Sequence, residues 1–242
     1  MNMPDELTIV IPAKNEENLL PRLLASLAAQ DYPRIANTTL YIADAGSTDR
    51  TVELALAFRP WLQVQVIAGG LPSVGRNAGA RLARSRFVLF VDADIEIADR
   101  TLIRRSLELM KQQGLHCLTT DIYCREGTLG DRLLYGCNNL VQRCSRFHKP
   151  FATGMFMLVD KERFDELGGF DEQALYAEDY QLTRRIEGRR FRAIRGGIYS
   201  TNRRFRKMGR TTIVRKFLNT ALHCRNENYF RQENHRVYWE SY

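Results

Sequence analysis

The chain has 242 residues, 44% of them hydrophobic and 26% charged, with a net charge of +8. That length gives one large domain or two small ones at roughly 150 residues each, and it can bury a core without staples. The apolar content excludes a disordered chain. No run of 18 apolar residues exists, so no transmembrane helix is expected, and the polar stretch over residues 1–6 does not read as a signal peptide.

Leu7–Ile11 is a buried-strand run rich in β-branched residues. Beyond Pro12, the stretch Glu16–Gln30 places Leu19, Leu20, Leu23, Leu24 and Leu27 at helical spacing, with Asn15 as its N-cap. Leu40–Ala43 is the second strand, Asp44–Thr48 a turn and Asp49–Ala57 a helix. Val64–Ile67 is a third strand, Gly69–Ser73 a loop and Val74–Ala83 a helix. Phe87–Val91 is a wholly apolar fourth strand, and Asp99–Gln113 a helix with Leu102, Ile103, Leu107 and Met110 inward. Four strand–helix repeats imply an α/β sheet with largely parallel strands, which binds ligands at the strands' carboxyl ends.

The second half is less regular. His116–Tyr123 reads as a strand, Leu129–Arg143 as a helix, Met155–Val159 as a strand and Gly168–Asp171 as a turn. Glu178–Glu187 starts as a helix and passes into a basic strand-and-loop region. Residues 180–216 hold thirteen Lys and Arg against one acid, Glu187, which implies a polyanionic partner. Thr212–Asn226 is an amphipathic helix with Ile213, Val214, Phe217, Leu218, Ala221 and Leu222 on one side. That side either packs on the domain or lies on an anionic membrane. The five cysteines include no Cys-x-x-Cys, which fits a reducing cytosol; Cys137 and Cys144 share a helix face and read as buried small apolar residues. No linker or repeat interrupts residues 1–242, so a single domain is expected, with a half over 1–115, a second over 116–200 and a basic helical extension over 201–242.

The chemistry-bearing residues follow strands. Asp92 and Asp94 flank Ala93 after the apolar strand, so both carboxylates can meet one Mg²⁺ or Mn²⁺, or else cap the next turns. Pro12–Glu16 and Asp44–Asp49 fit either a bound nucleotide or ordinary turns, with Ser47 or Thr48 capping the helix. Arg76 opens a helix, where a cation opposes the dipole; it can reach a phosphate or Asp92, or lie on the surface. The adjacent Glu178 and Asp179 suit a general base or a dipole-favoured first turn. No Gly-x-Gly-x-x-Gly, P-loop, metal-spaced His set or Gly-x-Ser-x-Gly elbow occurs.

In order, Ile9–Glu17, Ile42–Thr51, Ser73–Gly79, Phe90–Asp94 and Gly154–Phe156 with Gly168–Asp171 and Glu178-Asp179 resemble glycosyltransferase family 2, over about residues 7–195. The resemblance implies a GT-A-type, Rossmann-like three-layer α/β/α sandwich with a mixed, mainly parallel sheet. It implies an inverting, metal-dependent transfer from a UDP- or GDP-sugar to a hydroxyl. Pro12, Ala13, Asn15, Glu16, Asp44, Ser47, Arg76, Asp92 and Ala93 would hold the nucleotide sugar. Asp94, with Asp92, would bind Mn²⁺ or Mg²⁺, and Asp179 beside Glu178 would be the base. The family's processive members carry Gln-x-x-Arg-Trp; here Ser200–Arg206 lacks Gln and Trp, which favours single transfer. Arg203 and Arg204 would meet the diphosphate or an anionic acceptor. The expected acceptor is lipid-linked, a glycan or a small molecule. The expected location is cytoplasmic, at the inner face of a membrane, with no nucleic acid bound. Two alternatives remain at this point. A nucleotidyltransferase shares the paired Asp but wants a Gly-rich loop that Ile11–Asn15 lacks. A basic module binding nucleic acid or anionic lipid would use Phe191, Phe205, Phe217, Tyr229 and Phe230 among the arginines.

Overall fold

A computed structural model describes residues 6–224 and 226–232. The opening residues 1–5 and the end of the expected C-terminal extension, 233–242, lie outside the described residues. The strands and helices are β1 (Leu7–Ala13), α1 (Leu20–Ala28), β2 (Thr39–Asp44), α2 (Thr51–Leu56), β3 (Gln63–Ala68), α3 (Pro72–Leu82), β4 (Phe87–Val91), β5 (Ile95–Ile97) and α4 (Leu102–Gln113). There follow β6 (Cys117–Cys124), α5 (Leu129–Ser145), β7 (Phe156–Asp160), α6 (Lys161–Glu166), α7 (Glu178–Thr183), β8 (Phe191–Ser200), α8 (Arg203–Met208), α9 (Arg210–Leu222) and α10 (Glu227–Phe230).

One mixed sheet takes strands from both halves of the chain, in the order β3-β2-β1-β4-β7-β6-β8-β5. β3, β2, β1 and β4 run parallel, β7 is antiparallel to both β4 and β6, and β8 is parallel to β6. β1, β2 and β4 are largely apolar on both faces because helices cover both sides, whereas the edge strand β3 exposes Gln63 and Gln65. Ile9 and Ile11 meet Leu23, Leu24 and Leu27 of α1 on one side. Val10, Val88 and Phe90 meet Phe164, Phe170 and Leu182 on the other. This is the expected three-layer α/β arrangement. Among the described residues no helix is long and apolar enough to cross a membrane.

α3 lies close on the sheet because it carries Gly75 and Gly79 on its inner face. A Cβ at Gly79 would sit 2.5 Å from Val10 Cγ1, and one at Gly75 would sit 3.0 Å from the Ala43 Cβ.

Several helix expectations are corrected. α1 begins at Leu20 with Leu19 as N-cap, not at Glu16 behind Asn15. Asn15 instead has a left-handed backbone, φ 54°, which takes it out of the helical region. α2 starts at Thr51 after Arg50, so neither Ser47 nor Thr48 caps it. Pro72 occupies the first turn of α3, where its missing N–H costs nothing, so the helix begins earlier than Val74. Short β5, α6 and α10 carry too few residues for a periodic signal.

α5 overturns the expectation for Cys137 and Cys144, which are both exposed. The helix buries its polar residues instead: Asp131, Asn139 and Gln142, with Tyr135. The cause is the neighbouring strand. β6 pairs with β7 only over Cys117–Thr119 and with β8 through an irregularity between Thr120 and Ile122. Backbone groups left open there need partners. Asn139 serves both the N–H and the C=O of Ile122 at 2.9 Å, and Gln142 Nε2 donates to the Thr120 carbonyl at 3.3 Å.

Candidate active site

The loops after β1 and β2 form one unit. In register, Pro12 and Ala13 lie beside Ala43 and Asp44. The Asn15 N–H donates to Ser47 Oγ at 2.9 Å, and the Thr48 N–H donates to Asn15 Oδ1 at 2.8 Å. Asp44 closes its own turn by accepting from the Gly46 and Ser47 N–H groups, each at 3.1 Å, and from Ser47 Oγ at 2.5 Å. The Glu16 N–H is held by Thr51 Oγ1 at 2.7 Å. The positive φ of Asn15 is what turns its amide across to the second loop, a local cost that the cross-loop bonds offset.

Arg76 is the centre of the site, and it is not on the surface. Only 1% of it is exposed. Its Nη2 donates to Asp92 Oδ1 at 2.6 Å and its Nη1 to Glu178 Oε1 at 2.7 Å. One guanidinium thus joins the end of β4 to the start of α7, with Glu178 lying 102 residues from Arg76 in sequence. Charge pairing with Asp92, Glu178 and Asp179 outweighs desolvation and holds Arg76 protonated. Gly154 makes room for it, since a Cβ there would collide with the guanidinium. Phe170 lies under it, 5.4 Å from its Cζ.

Ala177 explains how adjacent acids face different partners. Its left-handed backbone, φ 55°, starts α7 with a sharp turn. Glu178 then reaches Arg76, while Asp179 Oδ2 accepts from the Gly154 N–H at 2.8 Å and Oδ1 accepts from the Tyr180 N–H at 2.7 Å. Desolvation first and the Glu178 charge second raise the Asp179 carboxyl to about 7, against the pull of Arg76. A carboxyl poised there can take a proton near neutral pH.

Beside Asp92, Ala93 is buried and Asp94 is not at an open strand end: its side chain is 14% exposed. Burial and the Asp92 charge raise Asp94 above the ordinary carboxylate range. Arg203 of α8 reaches in, donating to Glu16 Oε1 at 2.6 Å and lying 3.7 Å from Asp94 Oδ2, and the Arg204 charge also acts on Asp94. Burial likewise raises Glu16, opposed by Arg203. Among the described residues no group of three or more His, Cys, Asp or Glu is spaced to hold a metal alone. Two neighbouring carboxylates, one raised by the other's charge, fit a hard cation that draws its other ligands from phosphate and water. A small cleft of about 40 Å³ opens beside Asp94, lined by Arg22, Glu96, Arg125, Tyr199 and Thr201 among others.

The structure therefore gathers Glu16, Arg76, Asp92, Asp94, Glu178, Asp179, Arg203 and Arg204, with the Asn15–Ser47 and Asp44 loops at one side. Sequence reasoning gave no role to three supporting residues, although each lies in a segment that carries the resemblance. Thr51 holds Glu16, Gly154 holds Asp179, and Asn77 fixes the Gly168–Asp171 turn through the Phe170 N–H at 3.0 Å and C=O at 2.9 Å. Much of the basic segment is structural: Arg185 bonds the carbonyls of Leu167 and Gly169, and Arg190 bonds that of Gly114.

A sequence model of Glycosyl transferase family 2 matches residues 8–168. Over 100 residues the chain is 35% identical to poly(ribitol-phosphate) beta-N-acetylglucosaminyltransferase TarS of Staphylococcus aureus, a stretch of 39% of this chain and 17% of that protein. Over 114 residues it is 32% identical to a glycosyltransferase, YibD, of Escherichia coli, covering 45% of this chain and 32% of that one. These stretches span a third or less of the relatives' own lengths. Two solved structures share the fold. S. aureus TarS 1-349 in complex with UDP-GlcNAc superposes with a TM-score of 0.64 at 20% identity, covering 81% of this chain and 58% of that one. A mannosyltransferase from Pyrobaculum calidifontis in complex with GDP-Man and Mn²⁺ gives 0.67 at 19%, covering 90% and 65%.

Proposed function

The chain belongs to glycosyl transferase family 2, and from that premise we propose that it moves one sugar from a UDP- or GDP-sugar to an acceptor hydroxyl, with inversion. The observation that carries the reading is the Arg76 bridge. It holds Asp92, on the donor side, and Glu178, next to Asp179, within the span of one guanidinium.

The residues then divide the work. The Pro12–Glu16 and Asp44–Ser47 loops take the nucleoside. Asp92 and Asp94 would hold Mn²⁺ or Mg²⁺, which neutralises charge on the departing diphosphate when bound. Arg203 and Arg204 add positive charge on the same side. Asp179 accepts the acceptor's O–H proton as that oxygen bonds to the sugar's anomeric carbon, and the bond to diphosphate breaks with its electron pair leaving on the nucleotide. The Asp179 backbone contacts fix its direction, and Glu178 stays committed to Arg76. The relatives named for sugar transfer, and the neighbours solved with UDP-GlcNAc and with GDP-Man and Mn²⁺, support the donor class.

Asp179→Asn tests the reading. Calorimetry with Mn²⁺ and a panel of UDP- and GDP-sugars should find donor affinity unchanged, while transfer falls about a hundredfold or more. In the unsubstituted chain turnover should drop as pH falls through about 7, because the raised Asp179 carboxyl protonates there, and that limb should vanish in the variant. Near-normal turnover in the variant would remove Asp179 from the mechanism. Asp94→Asn should lose the Mn²⁺ dependence of donor binding; an unchanged dependence would remove Asp94 as a ligand.

A further inference from the structure

The outward faces of α5 and α9 are apolar. On α5, Leu129, Leu133, Cys137, Leu140, Val141 and Cys144 are exposed, with Leu133 and Leu140 each at 61%. On α9, Val214, Phe217, Leu218 and Leu222 are exposed at the same helical spacing, so most of the side expected either to pack or to dock stays open; only Ile213 is partly buried and Phe217 meets Phe151 along one edge. Helices of globular proteins ordinarily turn such stripes inward. Here the inward positions of α5 are already taken by the amides that serve β6.

The two helices share one side of the molecule. Arg210, the first residue of α9, bonds Asp131 and Thr128 at the start of α5, each at 2.7 Å. Phe217 of α9 meets Phe151, ring centroids 5.5 Å apart, and the Phe151 N–H is held by Ser145 at the end of α5.

We propose that this side docks on an anionic lipid bilayer. Charge decides the occupant. Between residues 128 and 154 the single acid is Asp131, which is buried and paired with Arg210, and between 203 and 226 there is none. Arg132, Arg206, Lys207 and Arg215 are all exposed around the apolar stripes. A second copy would set these cations against their like with no carboxylate to pair them. An anionic leaflet pairs them and covers the leucines at once. Phe147, 81% exposed beside Arg146, has the aromatic-plus-cation form that sits at a membrane interface.

The surface adjoins the site. Tyr135, from the inner side of α5, packs on Phe205 of α8, and α8 also carries Arg203. Lys216 of α9 lies 5.1 Å from the Tyr176 ring, close in sequence to Asp179. A docked chain therefore presents Asp179 to an acceptor carried in the membrane. That last step rests on the transfer reading; the docking does not.

The test is sedimentation of the full chain with phosphatidylglycerol–phosphatidylcholine vesicles and with phosphatidylcholine alone, without donor. Binding should need phosphatidylglycerol and weaken with salt. Leu133→Glu with Leu140→Glu should lower partitioning about tenfold or more at an unchanged thermal midpoint, because apolar burial is lost. Leu218→Glu should act in the same direction, as should Arg206→Ser with Arg215→Ser, while Leu82→Glu on α3 should change nothing. No binding at low salt, or full binding by the Leu133/Leu140 variant, would overturn the proposal. So would a dimer in sedimentation equilibrium that this variant returns to monomer. Because no donor is present, a failed transfer assay leaves this result standing, and a failed vesicle assay leaves the transfer reading standing.

Discussion

α1 and α5 lie against the same sheet and face it in opposite senses. α1 turns Leu20, Leu23, Leu24 and Leu27 inward, all fully buried. α5 turns Asp131, Asn139 and Gln142 inward and leaves its leucines outside. The strands they cover differ. β1 is paired along both edges, so the α1 leucines meet only side chains there, and apolar ones serve best; at the edge strand β5, by contrast, Ser26 of α1 accepts from the Ile97 N–H at 3.1 Å. β6 has open backbone groups, so α5 must bring donors and acceptors. An amphipathic pattern locates two faces; the strand beneath decides which one goes down.

The same contrast separates the apolar N-terminal half from the seam where charges are buried, and it can be broken most severely at the seam. Arg76→Met should cost about 3–5 kcal/mol in urea unfolding, because it strands Asp92 and Glu178 without their cation. A loss under 1 kcal/mol would mean that the bridge is not what holds α7 against β4.

Next in size is a paired truncation. Leu24→Ala on α1 should destabilise by about 2–5 kcal/mol, whereas Leu140→Ala on α5 should stay within about 0.5 kcal/mol in the absence of lipid. Equal losses would refute the opposite facing of the two helices. Asn139→Ala should cost about 1–3 kcal/mol, since the Ile122 N–H and C=O lose their partner; hydrogen exchange at Ile122 should report it directly.

The smallest effect is one of pH. Chiefly through its hydrogen bond from Arg210, Asp131 is lowered from the ordinary 3.8 to about 2. Its contribution is whole above the unfolded value and is lost as pH falls from about 4 through about 2. Asp131→Asn should flatten that part of the acid unfolding curve; an unchanged curve would detach α5's first turn from Arg210.

These contrasts also show what could be read in advance. The strands from Leu7 to Val91 and the inward leucines of α1 were legible because buried parallel strands and an inward apolar stripe leave plain patterns. So were the acids at strand ends, because a carboxyl end can be located once its strand is. The burial of Arg76 was not legible, since one of its partners lies 102 residues away and no local pattern records it. Nor were the left-handed turns at Asn15 and Ala177, neither of which is a glycine. The facing of Cys137 and Cys144 depended on an irregularity in β6 that side-chain periodicity does not carry.

Gly75 and Gly79 have a consequence that reaches beyond their own contacts. They let α3 rest on β1 and β2 at backbone distance, and Arg76 rides on that helix. The depth at which the guanidinium meets Asp92 and Glu178 is thus set by two absent methyl groups that touch neither acid. Gly79→Ala would wedge the helix off Val10 and draw the cation outward with it. An enzyme so altered would keep every reactive group and lose their alignment, so the most vulnerable point of this chemistry lies one helical turn behind it.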